Sequence, residues 1–331
     1  MDYIKNFGKL ELSWINSAIK LNKTIVLPEA NKSERVFNAG LYCAKNNIAN
    51  IVFLSTSEKD FKNCGLEKAK NIKVVNIHKS ELLPVLANAL FIKRQEKGLT
   101  LAKAYELLKN PIYFATMMVE LGLVDGSVSG AECASKDTFK PAFEIIKGKQ
   151  GEKVSSFFIM IANDDKKKAF LLSDCAINLN PDANLLALIA KQSASSFIKF
   201  VKQEPRVALL SYSTKGSGEG EQVDKVAKSI SILNKEILDF CYDGELQLDC
   251  AVVPEVANLK NPNGKIKGDA NVLIFPDLQS GNIGYKIMQR FGNFKAIGPI
   301  MQGLNKPIND ISRGANVEEI VLTIAITCLQ N

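Results

Sequence analysis

A dense polar cluster near the C-terminus is the segment of this chain best suited to chemistry. Asn309, Asp310, Ser312 and Arg313 lie between a proline turn and the apolar run IVLTIAITCL. A loop does not need this many polar side chains. We therefore place a candidate site in this segment. Glycine-containing segments elsewhere adjoin apolar runs, where a loop at the carboxyl end of a strand can present groups to a ligand.

The segment 122–141 (GLVDGSVSGAECASKDTFKP) combines turn-forming glycines with hydroxyl side chains. Gly130 permits a tight turn, and Ser129 and Thr138 supply hydroxyls close to a helix expected to begin near Asp137. Exposed backbone amides at a helix N-terminus can hold an anion. A hydroxyl-rich capped turn explains the same residues, so both interpretations stay open.

The segment 275–286 (FPDLQSGNIGYK) offers a second place for an anion. A strand is expected to end at Pro276-Asp277, and Gly281 and Gly284 flank the start of an amphipathic helix. Small residues there let a phosphate group approach the backbone, and Lys286 adds positive charge. The alternative is a strand-to-helix connection whose glycines allow close packing.

Several other classes of site receive no support. The segment 211–220 (SYSTKGSGEG) lacks both the Walker A spacing and GxGxxG, which argues against an ATP site. The one histidine, His78, is remote in sequence from every cluster above, which argues against a Ser-His-Asp hydrolase and a histidine-ligated metal. The seven cysteines are scattered without a CxxC pair, which fits buried thiols in a reducing compartment.

Length and charge narrow the possibilities further. The 331 residues favour two domains. The net charge of +7 would suit a polyanionic partner, but the basic residues are spread along the chain. The densest run, 166–168, follows two aspartates and is typical of a solvated hairpin turn, so we expect no nucleic-acid partner. No apolar stretch approaches the roughly 20 residues of a membrane span, and the N-terminus lacks an uncharged signal region, so we expect a cytoplasmic protein.

Short β-branched runs alternate with helical periodicity, which predicts an α/β protein with largely parallel sheets. Strands are predicted at 24–29, 50–54, 74–77, 154–162, 169–173, 206–212, 249–253 and 270–275. Helices are predicted at 33–45, 81–97, 101–108, from Pro181 onwards, 222–238, 284–291 and 317–329. The strands at 154–162 and 169–173 are expected to pair antiparallel.

Eight blocks of the sequence, in order and with the appropriate spacing, resemble the phosphate acetyltransferase family. They are LPEANKSERV, YFATMMVELGLVDGSVSGA, TFKPAFEIIK, SDCAINLNPDANLLALIA, PRVALLSYSTKGSGEGEQVDKV, DGELQLDCAVVPEVA, NVLIFPDLQSGNIGYKIMQR and GPIMQGLNKPINDISRGANVEEIV. The likeness extends from about residue 25 to the end of the last predicted helix.

The resemblance implies a two-domain α/β fold of the isocitrate/isopropylmalate-dehydrogenase type, with an interdomain active-site cleft and a homodimer as the usual assembly. In that fold the C-terminal segment returns to the first domain. We therefore expect one domain of residues 1–150 plus 301–331 and a second of residues 151–300.

The resemblance also implies a reaction, acetyl-CoA + phosphate = CoA + acetyl phosphate, by direct thiolate attack in a ternary complex. CoA is a substrate, and neither a metal nor a permanently bound cofactor is expected. By this likeness Ser312 hydrogen-bonds the sulfur, while Arg313 binds the phosphate or the carbonyl oxygen and Arg94 helps to hold the phosphate. Substrate binding is further assigned to Ser129, Gly130, Thr138, Lys140, Asn282, Tyr285, Lys286, Asn309 and Asp310.

Two positions depart from the family pattern. Lys140 stands where the family usually has arginine, which exchanges a planar fork for a point charge and should weaken phosphate binding. Glu319 stands where the family has an aspartate proposed as the base that takes the thiol proton. Asn316 and Glu319 also form an N-x-x-E capping box before the apolar helix. Both roles of Glu319 stay open.

Three other functions compete with acetyl transfer. A phosphate butyryltransferase shares the fold and mechanism but has a roomier acyl pocket, and the SDCAINLNPD and GNIGYK blocks favour the acetyl branch. An NAD(P)-dependent decarboxylating dehydrogenase would need metal-binding aspartates and a nicotinamide site, which are not evident. A CoA-binding regulatory module is disfavoured because Ser312, Arg313 and Arg94 occur together.

Overall fold

The chain divides into two compact units in a computed structural model that describes residues 6–62, 64, 66, 69–163 and 168–330. Unit 1 comprises Met1–Lys147 and Leu304–Asn331, and unit 2 comprises Gly148–Gly303. The chain thus leaves unit 1 once and returns to it. Among the described residues, no helix has both the length and the apolar character needed to cross a membrane.

The helices and strands alternate along the chain. The helices are α1 (Lys9–Leu21), α2 (Glu34–Lys45), α3 (Leu82–Arg94), α4 (Leu101–Leu108), α5 (Pro111–Glu120), α6 (Ser135–Ile145), α7 (Ala183–Val201), α8 (Glu221–Leu233), α9 (Leu248–Val252), α10 (Pro254–Lys260), α11 (Leu278–Arg290) and α12 (Val317–Leu329). The strands are β1 (Thr24–Leu27), β2 (Asn50–Ser55), β3 (Ile72–Asn76), β4 (Gly126–Ser129), β5 (Ser155–Ala162), β6 (Ala169–Ser173), β7 (Arg206–Leu210), β8 (Cys241–Leu246), β9 (Val272–Ile274), β10 (Phe294–Gln302) and β11 (Ile308–Asp310).

The sheet of unit 1 is parallel throughout and has the order β11-β4-β1-β2-β3. Because parallel strands end at the same edge, the segments that follow β1, β4 and β11 meet there. These segments belong to three sequence blocks, LPEANKSERV, GSVSGA and INDISRGA. The topology therefore brings residues near positions 30, 130 and 312 together.

Helix α12 anchors the returning segment. It is apolar on all sides, and its residues from Glu319 to Cys328 are buried, as expected of a helix enclosed by its own domain. The helix begins and ends at the predicted residues, because the Asn316 side chain caps it and its apolar run is uninterrupted.

The sheet of unit 2 is mixed, with the order β10-β5-β6-β9-β7-β8. Strands β5 and β6 pair antiparallel, as predicted, and β10 is antiparallel to β5. The remaining neighbours are parallel. The predicted hairpin turn between β5 and β6 falls on 164–167, which lie outside the described residues.

Four predicted elements of unit 2 differ from the structure. Helix α8 ends at Leu233 rather than at 238. The run at 249–253 is helical (α9), because a short apolar run has no period that separates helix from strand. Helix α7 begins at Ala183 rather than at Pro181, because the Asp182 side chain caps it. Helix α11 begins at Leu278, six residues before the predicted start at 284, because the Asp277 carboxylate accepts the Ser280 N–H at 2.8 Å.

Candidate active site

The polar cluster near the C-terminus forms a tight turn directly after β11. In residues 312–315, the Ala315 N–H donates to the Ser312 carbonyl at 2.8 Å, and the Gly314 N–H lies 3.3 Å from the Ser312 Oγ. Ser312 is half-buried, Arg313 and Gly314 are exposed, and Ala315 is buried. The 312–315 turn thus presents a guanidinium to solvent from a hydrogen-bonded backbone.

Arg35, the second residue of α2, binds carbonyl groups of this turn. Its Nη1 donates to the Arg313 carbonyl at 2.9 Å and to the Ala315 carbonyl at 2.5 Å. Its Nη2 lies 3.4 Å from both the Ala131 carbonyl and the Glu132 carboxylate. One side chain therefore contacts two of the segments that meet at the carboxyl edge of the sheet.

The Glu29 carboxylate fills the amide-lined turn after β4. It accepts the Gly130 N–H at 2.6 Å, the Ala131 N–H at 2.9 Å and the Glu132 N–H at 3.1 Å. Glu29 is buried. The backbone amides that were candidates for binding an anionic ligand therefore bind the Glu29 carboxylate instead. These contacts support the interpretation of a capped turn.

Ser129, Thr138 and Asp310 form a buried polar cluster beside this turn. The two hydroxyl oxygens are 3.2 Å apart, and Asp310 is 1% exposed. Burial raises the pKa of Asp310 to about 7, with the hydroxyls of Ser135 and Thr138 opposing the rise. These three residues are buried beside the turn after β4, and their predicted contact with substrate stays a prediction.

Gly130 is required by its conformation and its surroundings. Its φ is +108°, and a Cβ built there would lie 2.0 Å from the Asp310 Oδ1 and 2.7 Å from the Ile311 carbonyl oxygen. An L-residue would be strained in both respects. Gly130 was predicted to contact substrate. The close packing of β4 against β11 is sufficient to explain why glycine occupies this position.

Asn309 is fully buried on β11 and faces α12. Its Nδ2 donates to the Thr327 Oγ1 at 2.8 Å and also contacts the Gln330 Oε1. These contacts hold the end of α12 against the sheet. The observed contacts of Asn309 are structural, and its substrate contact stays a prediction.

Glu319 closes the predicted capping box of α12. The Asn316 Oδ1 accepts the Glu319 N–H at 2.9 Å, and the Glu319 Oε2 accepts the Asn316 N–H at 2.9 Å. Glu319 is 7% exposed. The capping role is confirmed, and the base role stays a prediction.

Two predicted phosphate ligands lie on neighbouring helices of unit 1. Arg94, at the end of α3, donates through Nη1 to the Glu144 carbonyl at 2.8 Å, and its Nη2 lies 3.9 Å from the Glu144 Oε1. The Tyr113 hydroxyl binds the other carboxylate oxygen of Glu144 at 2.7 Å. Lys140 is exposed on α6. Arg94 is therefore oriented by Glu144, whereas Lys140 extends from the helix surface.

The three predicted residues of unit 2 separate into different environments. Tyr285 is 4% exposed and stacks on Phe158 with ring centroids 4.0 Å apart, so its ring belongs to the core. Asn282 donates to the Cys175 carbonyl at 3.1 Å. Lys286 is exposed, with its Nζ 4.9 Å from the Tyr285 ring centroid. The Tyr285 ring packs in the core, and its substrate contact stays a prediction.

The glycine-containing connection before α11 is explained by packing. A Cβ at Gly281 would lie 2.5 Å from the Asp174 carbonyl oxygen. The N-terminus of α11 carries the Asp277 carboxylate as its cap, and that charge opposes an anionic ligand at the first turn of the helix. The close-packing alternative therefore accounts for this segment.

Glu29 and Arg35 were missed by the sequence reasoning. Both lie in the LPEANKSERV block directly after β1, at the edge where β4 and β11 also end. The sequence feature that could have identified them is a carboxylate and a guanidinium directly after a central parallel strand. In the parts of the chain that the structure describes, no group of three or more His, Cys, Asp or Glu side chains could hold a metal ion.

Comparison with known proteins assigns a family. A sequence model described as "Phosphate acetyl/butaryl transferase" matches residues 12–328. A phosphate acetyltransferase from Thermoanaerobacterium thermosaccharolyticum is 47% identical over 324 residues, which cover 96% of this chain and 98% of that protein.

Two solved structures resemble the whole chain. A phosphotransacetylase from Streptococcus pyogenes has a TM-score of 0.89 at 39% identity and covers 99% of this chain and 98% of its own. The EutD phosphotransacetylase from Staphylococcus aureus has a TM-score of 0.83 at 40% identity and covers 97% and 98%. Sequence and fold agree along nearly the full length, and the chain belongs to the phosphate acetyl/butaryl transferase family.

Proposed function

We propose that this chain is an acyltransferase that moves an acetyl group reversibly between CoA and inorganic phosphate. Relatives 47% and 44% identical, from Thermoanaerobacterium thermosaccharolyticum and Bacillus subtilis, are named phosphate acetyltransferases. The observation that carries the proposal is the exposed Arg313 beside the half-buried Ser312 on a hydrogen-bonded turn. In this arrangement the guanidinium can bind an anionic substrate, and the neighbouring hydroxyl can contact the reacting atoms.

The proposed chemistry is direct attack of the CoA thiolate on the carbonyl carbon of acetyl phosphate. A carbon–sulfur bond forms, the bond between that carbon and the bridging phosphate oxygen breaks, and phosphate leaves with the bonding electron pair. Ser312 donates a hydrogen bond to the sulfur, and Arg313 stabilises negative charge on the carbonyl oxygen or the phosphate. CoA enters as a substrate, and the step calls for no metal and no permanently bound cofactor.

Two cations of unit 1 are proposed to bind the phosphate. The Arg94 guanidinium has further N–H groups beyond those that face Glu144, and the Lys140 ammonium is exposed. The exposed Lys286 and the half-buried Asn282 of unit 2 are proposed as contacts for the phosphates or the amides of CoA.

Glu319 is proposed as the group that accepts the thiol proton, in addition to its capping role. A carboxylate seven residues from the Ser312 position, at the first turn of the next helix, belongs to the same end of unit 1 as the 312–315 turn. Proton transfer by a positioned carboxylate is ordinary general-base catalysis. The substitution Glu319→Gln separates the two roles.

Two properties of the protein as a whole are also proposed. A homodimer is expected from the family resemblance, and light scattering during size-exclusion chromatography would test it. A cytoplasmic location is expected because all seven cysteines are free thiols, which is typical of a reducing compartment. Cell fractionation with an antibody to the chain would test that location.

The decisive experiment is phosphate-dependent release of CoA from acetyl-CoA by the purified protein. The thiol is followed by a colorimetric reagent, with and without inorganic phosphate, and acetyl phosphate is measured as the second product. Arg290→Ala serves as the matched control for loss of an exposed arginine, since Arg290 lies at the end of α11. Binding of CoA without any transfer would instead establish the regulatory module.

The acyl chain is the point on which the family divides, since its description includes both acetyl and butyryl transfer. Rates with acetyl-CoA, propionyl-CoA and butyryl-CoA at equal concentration would decide it. A preference for butyryl-CoA would overturn the acetyl assignment. Reduction of NAD or NADP with a 2-hydroxy acid would instead support the dehydrogenase alternative.

A further inference from the structure

Arg35 is tied to the backbone of the proposed reactive turn more closely than to any carboxylate. Its two shortest contacts, at 2.9 and 2.5 Å, are to the carbonyl oxygens of Arg313 and Ala315. Its contact with the Glu132 carboxylate is longer, at 3.4 Å. A guanidinium that mainly binds main-chain carbonyls fixes the path of the chain.

The carbonyls that Arg35 binds flank the most exposed part of the turn. Arg313 and Gly314 are exposed, and glycine imposes little restraint on the backbone. Within the turn, the hydrogen bonds to Ser312 restrain only the N–H groups of Gly314 and Ala315. Arg35 adds restraint on the carbonyl side, which sets the direction in which the Arg313 side chain leaves the backbone.

The second nitrogen of the Arg35 guanidinium contacts a loop that is itself held by hydrogen bonds. Its Nη2 reaches the Ala131 carbonyl, in the loop whose amides bind the Glu29 carboxylate. The Glu29 carbonyl in turn accepts the Ser33 N–H at 2.9 Å, at the start of α2. Arg35 and Glu29 therefore hold the segments after β1, β4 and β11 in one arrangement.

We propose that Arg35 is a positioning residue for acyl transfer, which acts by holding the 312–315 turn so that the Arg313 guanidinium and the Ser312 hydroxyl are correctly placed. This inference rests on the proposed role of Arg313. Displacement of a catalytic group by about 1 Å can cost roughly 10²-fold in rate. Lysine cannot replace Arg35, because a single ammonium lacks the fork that spans both carbonyls.

The test compares Arg35→Ala, Arg35→Lys and Arg313→Ala with the double variant Arg35→Ala/Arg313→Ala, and uses Arg290→Ala as the surface control. For the Arg35 variants we expect kcat to fall about 10- to 100-fold, as for loss of groups that orient reactive ligands, with KM for CoA nearly unchanged. The double variant should be no slower than Arg313→Ala, because residues that act through one another are not additive.

The results for these variants either support or overturn the positioning role of Arg35. Multiplicative losses in the double variant, or a wild-type kcat in Arg35→Lys, would overturn the positioning role. Arg35→Lys keeps the charge and serves as the informative variant if Arg35→Ala does not fold. A wild-type rate in Arg313→Ala would overturn the role of Arg313 and the inference with it, whereas no transfer by the unmodified protein would overturn the proposed function itself.

Discussion

Asp310 and Ser129 are directly paired across the parallel strands β11 and β4, and the Ile311 N–H donates to the Ser129 carbonyl at 2.8 Å. This pairing brings the Asp310 carboxyl against the Cα of Gly130. It also sets the point from which the 312–315 turn leaves the sheet. Substitutions at this junction should therefore affect stability first, and substitutions in the turn should affect rate first.

Gly130→Ala should lower the free energy of unfolding by about 2–4 kcal/mol, because the new Cβ meets the Asp310 Oδ1 and the backbone is strained. Gly122→Ala is the matched control, since Gly122 has φ +71° with open space around it. The control isolates the conformational strain, for which about 1–2 kcal/mol is expected. Urea unfolding measures the loss of stability in each variant. Equal losses in Gly130→Ala and Gly122→Ala would contradict the predicted clash with Asp310.

Asp310→Asn should change how stability depends on pH. The pKa of Asp310 is raised from 3.8 to about 7 in the folded chain. Its contribution is therefore fully present below pH about 4 and is lost as the pH rises through about 7. The difference in unfolding free energy between wild type and variant should fall over that window, by at most about 4 kcal/mol. Urea titrations at several pH values would measure it, and a pH-independent difference would contradict it.

Arg313→Ala should lower turnover by about 10²-fold or more, as for loss of one electrostatic donor. Stability should hardly change, since the side chain is exposed and packs in no core. The measurements are kcat and the melting temperature, with Arg290→Ala treated identically. Near-normal turnover in the folded variant would remove Arg313 from the mechanism.

Lys140→Arg should be tolerated and should lower the apparent KM for acetyl phosphate, because a guanidinium can engage two phosphate oxygens. The position is exposed on α6, so the larger side chain fits. KM is measured at fixed CoA concentration. A sharp rise in KM would mean that Lys140 serves another purpose.

Glu319→Gln separates a proton acceptor from a helix cap. Glutamine can still accept the Asn316 N–H and close the capping box, but it cannot take up the thiol proton. We expect turnover to fall by roughly 10²–10⁴ with little change in melting temperature. Part of the rate should return at alkaline pH, because the pKa of a free thiol is about 8.5.

The contrary result for Glu319→Gln is an unchanged rate and pH profile in a folded protein. It would leave Glu319 as a cap alone, with Ser312 and Arg313 to stabilise the thiolate. Asn316→Ala is the complementary control, since it removes the other half of the capping box and leaves the Glu319 carboxylate in place.

Local patterns predicted the elements that local contacts determine. Helix α12 was placed correctly because its capping box and its apolar run are both short-range features. The run at 249–253 was misassigned because it is too short to show a period. The order of strands in the sheet could not be predicted from periodicity, because pairs such as β11 and β4 join residues that are distant in sequence.

The site was predicted unevenly for the same reason. Exposed members such as Arg313 and Lys140 stand out by residue type and family likeness. Glu29 and Arg35 were missed because their partners are about 100 and 280 positions away in sequence. The burial of Tyr285 and Asn309 could not be predicted from the sequence, because it depends on side chains packed from distant parts of the chain.

The position of β11 at the edge of the first sheet has a consequence for synthesis on the ribosome. Residues 304–331 carry β11 and α12, and they are translated after the whole of unit 2. Until they emerge, β4 has an unpaired edge and the 312–315 turn does not yet exist. Unit 2 can therefore fold during elongation, whereas unit 1 closes only when the last segment arrives.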